Sequence, residues 1–315
     1  FDDCQVTARL VVEAGADAVH LSAYGDNTSG RAFTEGTLPD QEARHAALSG
    51  KLTRDLSVPV IGVGRISPAV GNEMIAFGKA DLVAMGRQLL ADPATPAKLT
   101  ENRADEIRPC INCYVCVAQP FFDRKVRCAV NPVVGRELEL AEAERSSTQR
   151  PRHVAIVGGG PAGLETARVA AERGHRVTLW EAGDQIGGSL RFAALVYEPN
   201  LQLLRWYEHE MTRLGVDIRL GTNAGVDRVA AVDPDVIVVA SGAGRVGPEI
   251  PGADQDHVFD GNHLRDLLTG GGDGAAIKKL GVAARIAVRF GRRLGLLNDP
   301  GQVARLSERY MPIGE

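Results

Sequence analysis

A strand that runs directly into closely spaced glycines and then into a helix narrows the fold of this chain more than any other feature. Val154-Ala155-Ile156-Val157 is a short apolar run, and Gly158-Gly159-Gly160-Pro161-Ala162-Gly163 follows with no spacer. Gly158, Gly160 and Gly163 carry the G-x-G-x-x-G spacing, and a helix over about Pro161–Arg173 is expected to follow. The next apolar strand, Arg176–Trp180, leads to Glu181, 21 residues beyond Gly160. A strand–turn–helix of this kind is a dinucleotide site. The pyrophosphate approaches bare backbone at the helix N-terminus, and the carboxylate accepts bonds from the ribose hydroxyls. Glu181 in place of an arginine argues against a 2′-phosphate, so FAD or NAD fits better than NADP. A glycine-rich turn without a ligand is the competing reading, and the register of all four elements disfavours it.

The rest of the chain supports an α/β class. Helical patterns over 3–13, with Val6, Leu10 and Val11 on one face, over 41–55 and over 68–77 alternate with apolar strands at 18–22, 58–63 and 82–85. Such alternation implies a parallel sheet whose short apolar strands are buried on both faces. A polar loop covers 23–40, and residues 136–150 are charged and polar, as in a linker. Beyond the glycine motif, a helix is expected over 201–214, with strands at 217–220 and 236–240. Gly187-Gly188 follows Glu181 closely, and Val236-Ile237-Val238-Val239-Ala240-Ser241-Gly242-Ala243 comes about 55 residues later. This set resembles the FAD-binding half of two-dinucleotide, disulfide-reductase-like flavoproteins, so FAD is preferred over NAD.

Four of the five cysteines fall within 19 positions, as C-x2-C-x2-C-x11-C at Cys110, Cys113, Cys116 and Cys128. Three sulfurs at tight spacing can hold three corners of a cubane while a fourth returns from a loop, whereas structural zinc usually shows two separated pairs. A [4Fe–4S] cluster is therefore the leading reading, ahead of zinc and of free thiols. Clustered thiols also indicate a reducing, cytoplasmic setting. Cys4 stands apart and reads as a small buried apolar residue.

Two consecutive strand ends carry Gly-Arg, at Gly64-Arg65 and Gly86-Arg87. Barrel sites form at strand C-termini, and arginine suits a phosphate. Surface arginines paired with acids are the competing reading. In order along the chain come Val60-Ile61-Gly62-Val63-Gly64-Arg65-Ile66, Ala80–Arg87 with Ala91-Asp92-Pro93, Ile107–Cys113, Cys128-Ala129-Val130-Asn131-Pro132 and the glycine motif. This series resembles the iron–sulfur flavoenzymes of the 2,4-dienoyl-CoA reductase, 2-enoate reductase and trimethylamine dehydrogenase group.

The resemblance implies the C-terminal part of a TIM barrel, a cysteine-rich iron–sulfur segment and a Rossmann-like FAD-binding unit. It implies that residues 1–106 are the last three βα units of an FMN-binding barrel and 107–135 the cluster segment. After the linker, 151–269 would bind FAD, and 270–315 would be a basic helical connector towards a nicotinamide-binding unit. The sequence is thus expected to be a piece of a longer protein, inactive in isolation. Carried over by position, Gly64, Arg65, Gly86 and Arg87 would hold the FMN phosphate. Cys110, Cys113, Cys116 and Cys128 would ligate the cluster, and Gly158, Gly160, Gly163, Glu181 and Gly188 would line the FAD. The C-x2-C-x2-C spacing matches the amine dehydrogenase branch. Where the reductases place a catalytic histidine, this chain has Tyr24, Gly25 and Asp26, so the proton donor is not assigned.

The implied activity is an NAD(P)H-dependent oxidoreductase acting on an activated C=C bond. Electrons would flow from NAD(P)H to FAD, the cluster, FMN and substrate. An amine dehydrogenase or demethylase is the second reading, and a non-catalytic or electron-transfer remnant the third. Partners are expected to be small molecules (an enoyl-CoA, an enoate or an amine), with homo-oligomerisation left open. The 315 residues carry a net charge of −4, which gives nucleic acid no reason to bind. No apolar run of about 18 residues exists to span a membrane. The basic stretch 275–294 carries apolar residues at helical spacing (Ile277, Leu280, Ala284, Val288, Leu294) and is expected to be a helical connector, docked or mobile only for want of a downstream partner, in preference to the competing membrane-surface helix. Anaerobically purified protein should contain about four irons and four sulfides per chain; metal analysis showing stoichiometric zinc and no iron would contradict this.

Overall fold

The computed structural model describes residues 2–22, 42–140, 148–244, 250–253, 255, 257–263, 267, 275–294 and 299–303. The chain divides into two compact units, Phe1–Glu101 with Asn112–Gly135, and Asn102–Ile111 with Arg136–Glu315. The cysteine stretch is therefore shared, with Cys110 in the second unit and Cys113, Cys116 and Cys128 in the first.

In the first unit α1 (Asp2–Glu13), β1 (Val19–Leu21), α2 (Ala46–Asp55), β2 (Val60–Gly62), α3 (Pro68–Ala76) and β3 (Leu82–Val83) alternate. The strands are parallel in the order β1-β2-β3, with Val19 opposite Val60 and Ile61 opposite Leu82. Parallel neighbours need crossover helices, and these bury the strands' apolar residues. Leu52 and Ala8 pack with Leu21 and Val60, and Met74 packs with Ile66 and Ala80. Three consecutive βα units are thus in place. Ser67 caps α3 by accepting the Val70 N–H, with Pro68 at the first helical position. Two short helices follow, α4 (Gly86–Ala91) and α5 (Thr95–Thr100). Asp92 joins them, accepting the Ala94 N–H at 3.0 Å and the Lys98 ammonium at 2.7 Å. The cysteine stretch adds α6 (Val115–Ala118) and a 3-10 turn, Gln119–Phe122.

The second unit runs β4 (His153–Val157), α7 (Pro161–Glu172), β5 (Arg176–Trp180), α8 (Ser189–Ala193), α9 (Glu198–Arg213), β6 (Asp217–Arg219), α10 (Val226–Ala230) and β7 (Val236–Val239). Its four parallel strands lie in the order β6-β5-β4-β7. The chain winds outward from β4 through β5 to β6, then returns to the far side of β4. Ligands of open α/β sheets bind beyond the strand C-termini at such a reversal. Ala155 and Ile156 of β4, Leu164 and Ala167 of α7 and Leu179 of β5 are completely buried. Among the described residues no helix is long and apolar enough to cross a membrane.

The α1 face of Val6, Leu10 and Val11 is exposed, and Ala8 is the residue that meets the core. Cys4 is exposed rather than buried. Burial on both faces fails at the sheet edges, where Leu82 of β3 and Ile237 and Val239 of β7 face solvent. The linker carries a helical turn at 137–140, and 141–147 lie outside the described residues. The expected helix over 275–294 is two, α11 (Ala275–Lys279) and α12 (Val282–Arg293), broken at Leu280-Gly281. Lys279 ties α11 down by donating to the carbonyls of Gln255 and Val258. On α12, Val282, Ile286 and Phe290, with Leu294 beyond, form an exposed apolar row, while Ile277, Leu280 and Val288 of the expected stripe are half-buried.

Leu164→Ala should lower the unfolding free energy of the second unit by about 2–5 kcal/mol, the cost of a buried leucine cavity. The exposed-edge change Val239→Ala should stay within about 0.5 kcal/mol. Denaturant unfolding of the two variants checks the contrast.

Candidate functional site

The three motif glycines serve different ends. Gly158 has φ 112°, and a Cβ there would lie 2.2 Å from the Ala240 carbonyl oxygen, at the end of β7. A Cβ on Gly163 would lie 1.9 Å from the Gly158 carbonyl oxygen. Backbone packing alone forbids a side chain at both positions. Gly160 differs. Its φ of −78° is ordinary, and a Cβ there would meet nothing within 4 Å. The protein's own packing therefore does not require glycine at 160, and the bare backbone faces open space at the start of α7. The second glycine pair folds against the same loop. The Gly187 N–H donates to the Gly159 carbonyl at 2.7 Å, and a Cβ on Gly188 would come within 3.0 Å of the Gly160 Cα.

Glu181 fixes this loop. One carboxylate oxygen accepts the Gly159 N–H at 2.8 Å and the other the Gly183 N–H at 2.8 Å. Each oxygen keeps a further lone pair. Glu181 is thus a brace between the turn after β4 and the turn after β5, a role that the ribose expectation did not include.

In the first unit, Gly64 (φ 115°) and Arg65 (φ 43°) are both left-handed at the end of β2. A bulky residue in that region stores strain and is a mark of functional turns. The Ala43 N–H holds the turn by donating to the Arg65 carbonyl at 3.1 Å. Gly86 begins α4, and a Cβ there would meet nothing within 4 Å. The Arg87 guanidinium carbon lies 4.7 Å from the centre of the Tyr114 ring. Its Nη1 is buried and has no hydrogen-bond partner among the described residues. An unsatisfied buried guanidinium N–H is costly unless an acceptor such as a phosphate oxygen completes it.

Cys116 neighbours this arginine and two further cysteines. Burial pushes the Cys116 thiol above its usual range, and the Cys128 and Cys113 sulfurs push it further. The Val117 N–H and Arg87 act the other way. Asn131 secures the Cys128 loop to α4, donating to the Leu90 carbonyl at 2.9 Å and accepting the Val133 N–H at 3.1 Å. None of the five cysteines is in a disulfide. Among the described residues, no group of three His, Cys, Asp or Glu side chains stands in metal-holding geometry. The all-sulfur donor set is nonetheless the chemistry that iron–sulfur centres use. Tyr24, Gly25 and Asp26 lie outside the described residues.

Residues 38–106 match the NADH:flavin oxidoreductase / NADH oxidase family, and residues 131–232 the pyridine nucleotide-disulphide oxidoreductases. NADH oxidase of Thermoanaerobacter brockii is 38% identical over 259 residues, 80% of this chain and 39% of the relative. N,N-dimethylglycine/sarcosine dehydrogenase of Chromohalobacter salexigens is 38% identical over 236 residues, 73% of this chain and 34% of the relative. A solved 2-naphthoyl-CoA reductase in complex with 2-naphthoyl-CoA superposes with a TM-score of 0.76 at 27% identity, covering 96% of this chain and 49% of the other. The chain spans less than half the length of each of these proteins. Its first unit is thus similar to the NADH:flavin oxidoreductase group of α/β flavoenzymes, and a segment similar to the pyridine nucleotide-disulphide oxidoreductases follows it.

Gly158→Ala and Gly163→Ala should each destabilise the ligand-free protein by more than about 1 kcal/mol, because the added carbon strikes backbone. Gly160→Ala should stay within about 0.5 kcal/mol. Removing the brace with Glu181→Ala should cost about 1–3 kcal/mol even without ligand, since two N–H groups lose their acceptor. Thermal unfolding of the four variants tests the assignment.

Proposed function

We propose that the protein is an NAD(P)H-dependent flavin and iron–sulfur oxidoreductase, reducing the activated C=C bond of a 2-enoate or 2,4-dienoyl-CoA type substrate. The observation that carries the dinucleotide part is Gly160, whose lack of a side chain nothing in the protein's own packing explains. Its backbone, with Gly188 facing it and α7 beginning behind it, fits a pyrophosphate. Gly158 and Gly163 let that turn close, and Glu181 holds it in place with lone pairs left for ribose hydroxyls. Gly64, Arg65, Gly86 and Arg87 would bind the FMN phosphate, and the unsatisfied Nη1 of Arg87 fits that role. Cys110, Cys113, Cys116 and Cys128 would hold the [4Fe–4S] cluster. When bound, these groups would supply the redox chemistry, passing electrons from NAD(P)H through FAD, the cluster and FMN to the substrate. The chain's own contribution is to bind, space and orient them. A small-molecule substrate and a cytoplasmic location accompany this reading.

An amine dehydrogenase or demethylase, sending electrons outward from FMN, is the second reading. The dimethylglycine/sarcosine dehydrogenase relative and the C-x2-C-x2-C spacing favour it.

Anaerobic assays of the full-length protein decide between them. With NADH or NADPH it should reduce an enoyl-CoA or enoate, and Gly160→Val should lose FAD and this turnover together. Oxidation of a methylamine, with no reduction of any enoyl substrate, would establish the second reading instead.

A further inference from the structure

The stretch Glu106–Ile111, which carries Cys110, is gripped at three points, all within the second unit. The Glu106 carbonyl accepts the Trp206 indole N–H at 3.1 Å. The Ile111 carbonyl accepts the Tyr197 hydroxyl at 2.6 Å. Between them Arg108 turns inward and is only 6% exposed. Its guanidinium carbon lies 4.7 Å from the centre of the Trp206 ring, and it donates to Glu165 at 3.2 Å. Glu165 stands one turn into α7. Its carboxylate also accepts the Tyr207 hydroxyl at 3.1 Å and two Arg168 N–H groups at 2.9 and 3.2 Å.

Bulk alone does not call for a buried arginine, because apolar residues of similar volume stabilise an interior as well or better. An arginine supplies direction. Its Nη2 must meet the carboxylate while the guanidinium lies over the indole, and the compact ammonium of lysine does not reproduce that planar, directional pair of contacts. The clamp therefore fixes the path and register of the extended stretch. Cys110 lies two residues beyond Arg108 and one before the second anchor, Ile111. The same helix, α7, begins at the open Gly160 backbone and receives the clamp at Glu165.

We propose that Arg108 is a positioning residue for Cys110, locking that sulfur to the dinucleotide-binding helix through Glu165 and Trp206. The proposal rests on the cluster reading given above. Partners outside the ligand shell orient metal ligands, and their loss typically costs 10–100-fold in metal affinity. The position of one sulfur ligand relative to the nucleotide cradle is then set by a single rigid helix.

The test uses the full-length protein with Arg108→Gln, Arg108→Lys and Tyr197→Phe, and with Arg136→Gln as an exposed control. Readouts are iron, sulfide and FAD per chain, and the midpoint potential of the cluster followed by electron paramagnetic resonance. Arg108→Gln should keep FAD while iron retention under chelator falls about tenfold. Arg108→Lys should fail to restore it, and Tyr197→Phe should shift the potential with iron retained. Unchanged iron and potential in all variants would overturn the proposal. So would parallel loss of FAD and iron, the sign of a merely structural role. If the wild-type protein binds no iron, the cluster reading fails by itself. The clamp is then read from alkylation of Cys110, which Arg108→Gln should accelerate severalfold with Cys4 unchanged, because the stretch opens locally more often; equal rates would overturn it.

Discussion

At the end of β4 two stretches of backbone come so close that no side chain fits between them. A Cβ on Gly158 would strike the carbonyl that follows β7, and one on Gly163 would strike Gly158 itself. This approach sets where α7 begins and which way it points. From that start, the open backbone at Gly160, the Glu181 brace one strand away and the Glu165 clamp one turn along all take their positions. The sheet order makes the approach possible, because β7 returns beside β4 after the chain has wound out to β6.

Charge organises the far side of α7. Glu165 serves Arg108, Arg168 and Tyr207 at once. Burial disfavours the Arg168 charge, but Glu165 and Glu172 outweigh it and hold the guanidinium above its ordinary range. Burial raises the Tyr207 hydroxyl well above its usual range, and Glu165 raises it further. Tyr207 therefore remains a donor across the pH range in which proteins work. Buried ion pairs give modest net stability, but removing one partner strands the other. Such a network is better suited to fixing one geometry than to adding stability.

Much of this was readable in the sequence. The β4 and β5 runs, the glycines and the start of α7 at Pro161 follow from short-range rules, and the structure reproduces them within a residue or so. Edge exposure was not readable, because apolar β7 residues look alike whether or not a neighbour covers them. The exposed face of α1 failed for the same reason, since periodicity gives a face but not what it meets. Gly281 was an available signal for the break between α11 and α12. Asn131 carried the turn signal of Asn-Pro, but its link to α4 spans 41 residues. The Arg108 clamp was invisible, because its anchors lie 57 to 100 residues away in sequence. Glu181 was found by its spacing, yet spacing could not show that its carboxylate also braces the loop.

We propose the turn at Gly158–Gly163 as a cradle for a dinucleotide. Amide hydrogen exchange on flavin-free protein, with and without added FAD, tests it most directly. Protection should appear at residues 158–164 and at 187–189, where the two glycine loops face each other. FAD that binds while leaving these amides unprotected, with protection appearing instead at 64–66 and 86–88, would contradict the account.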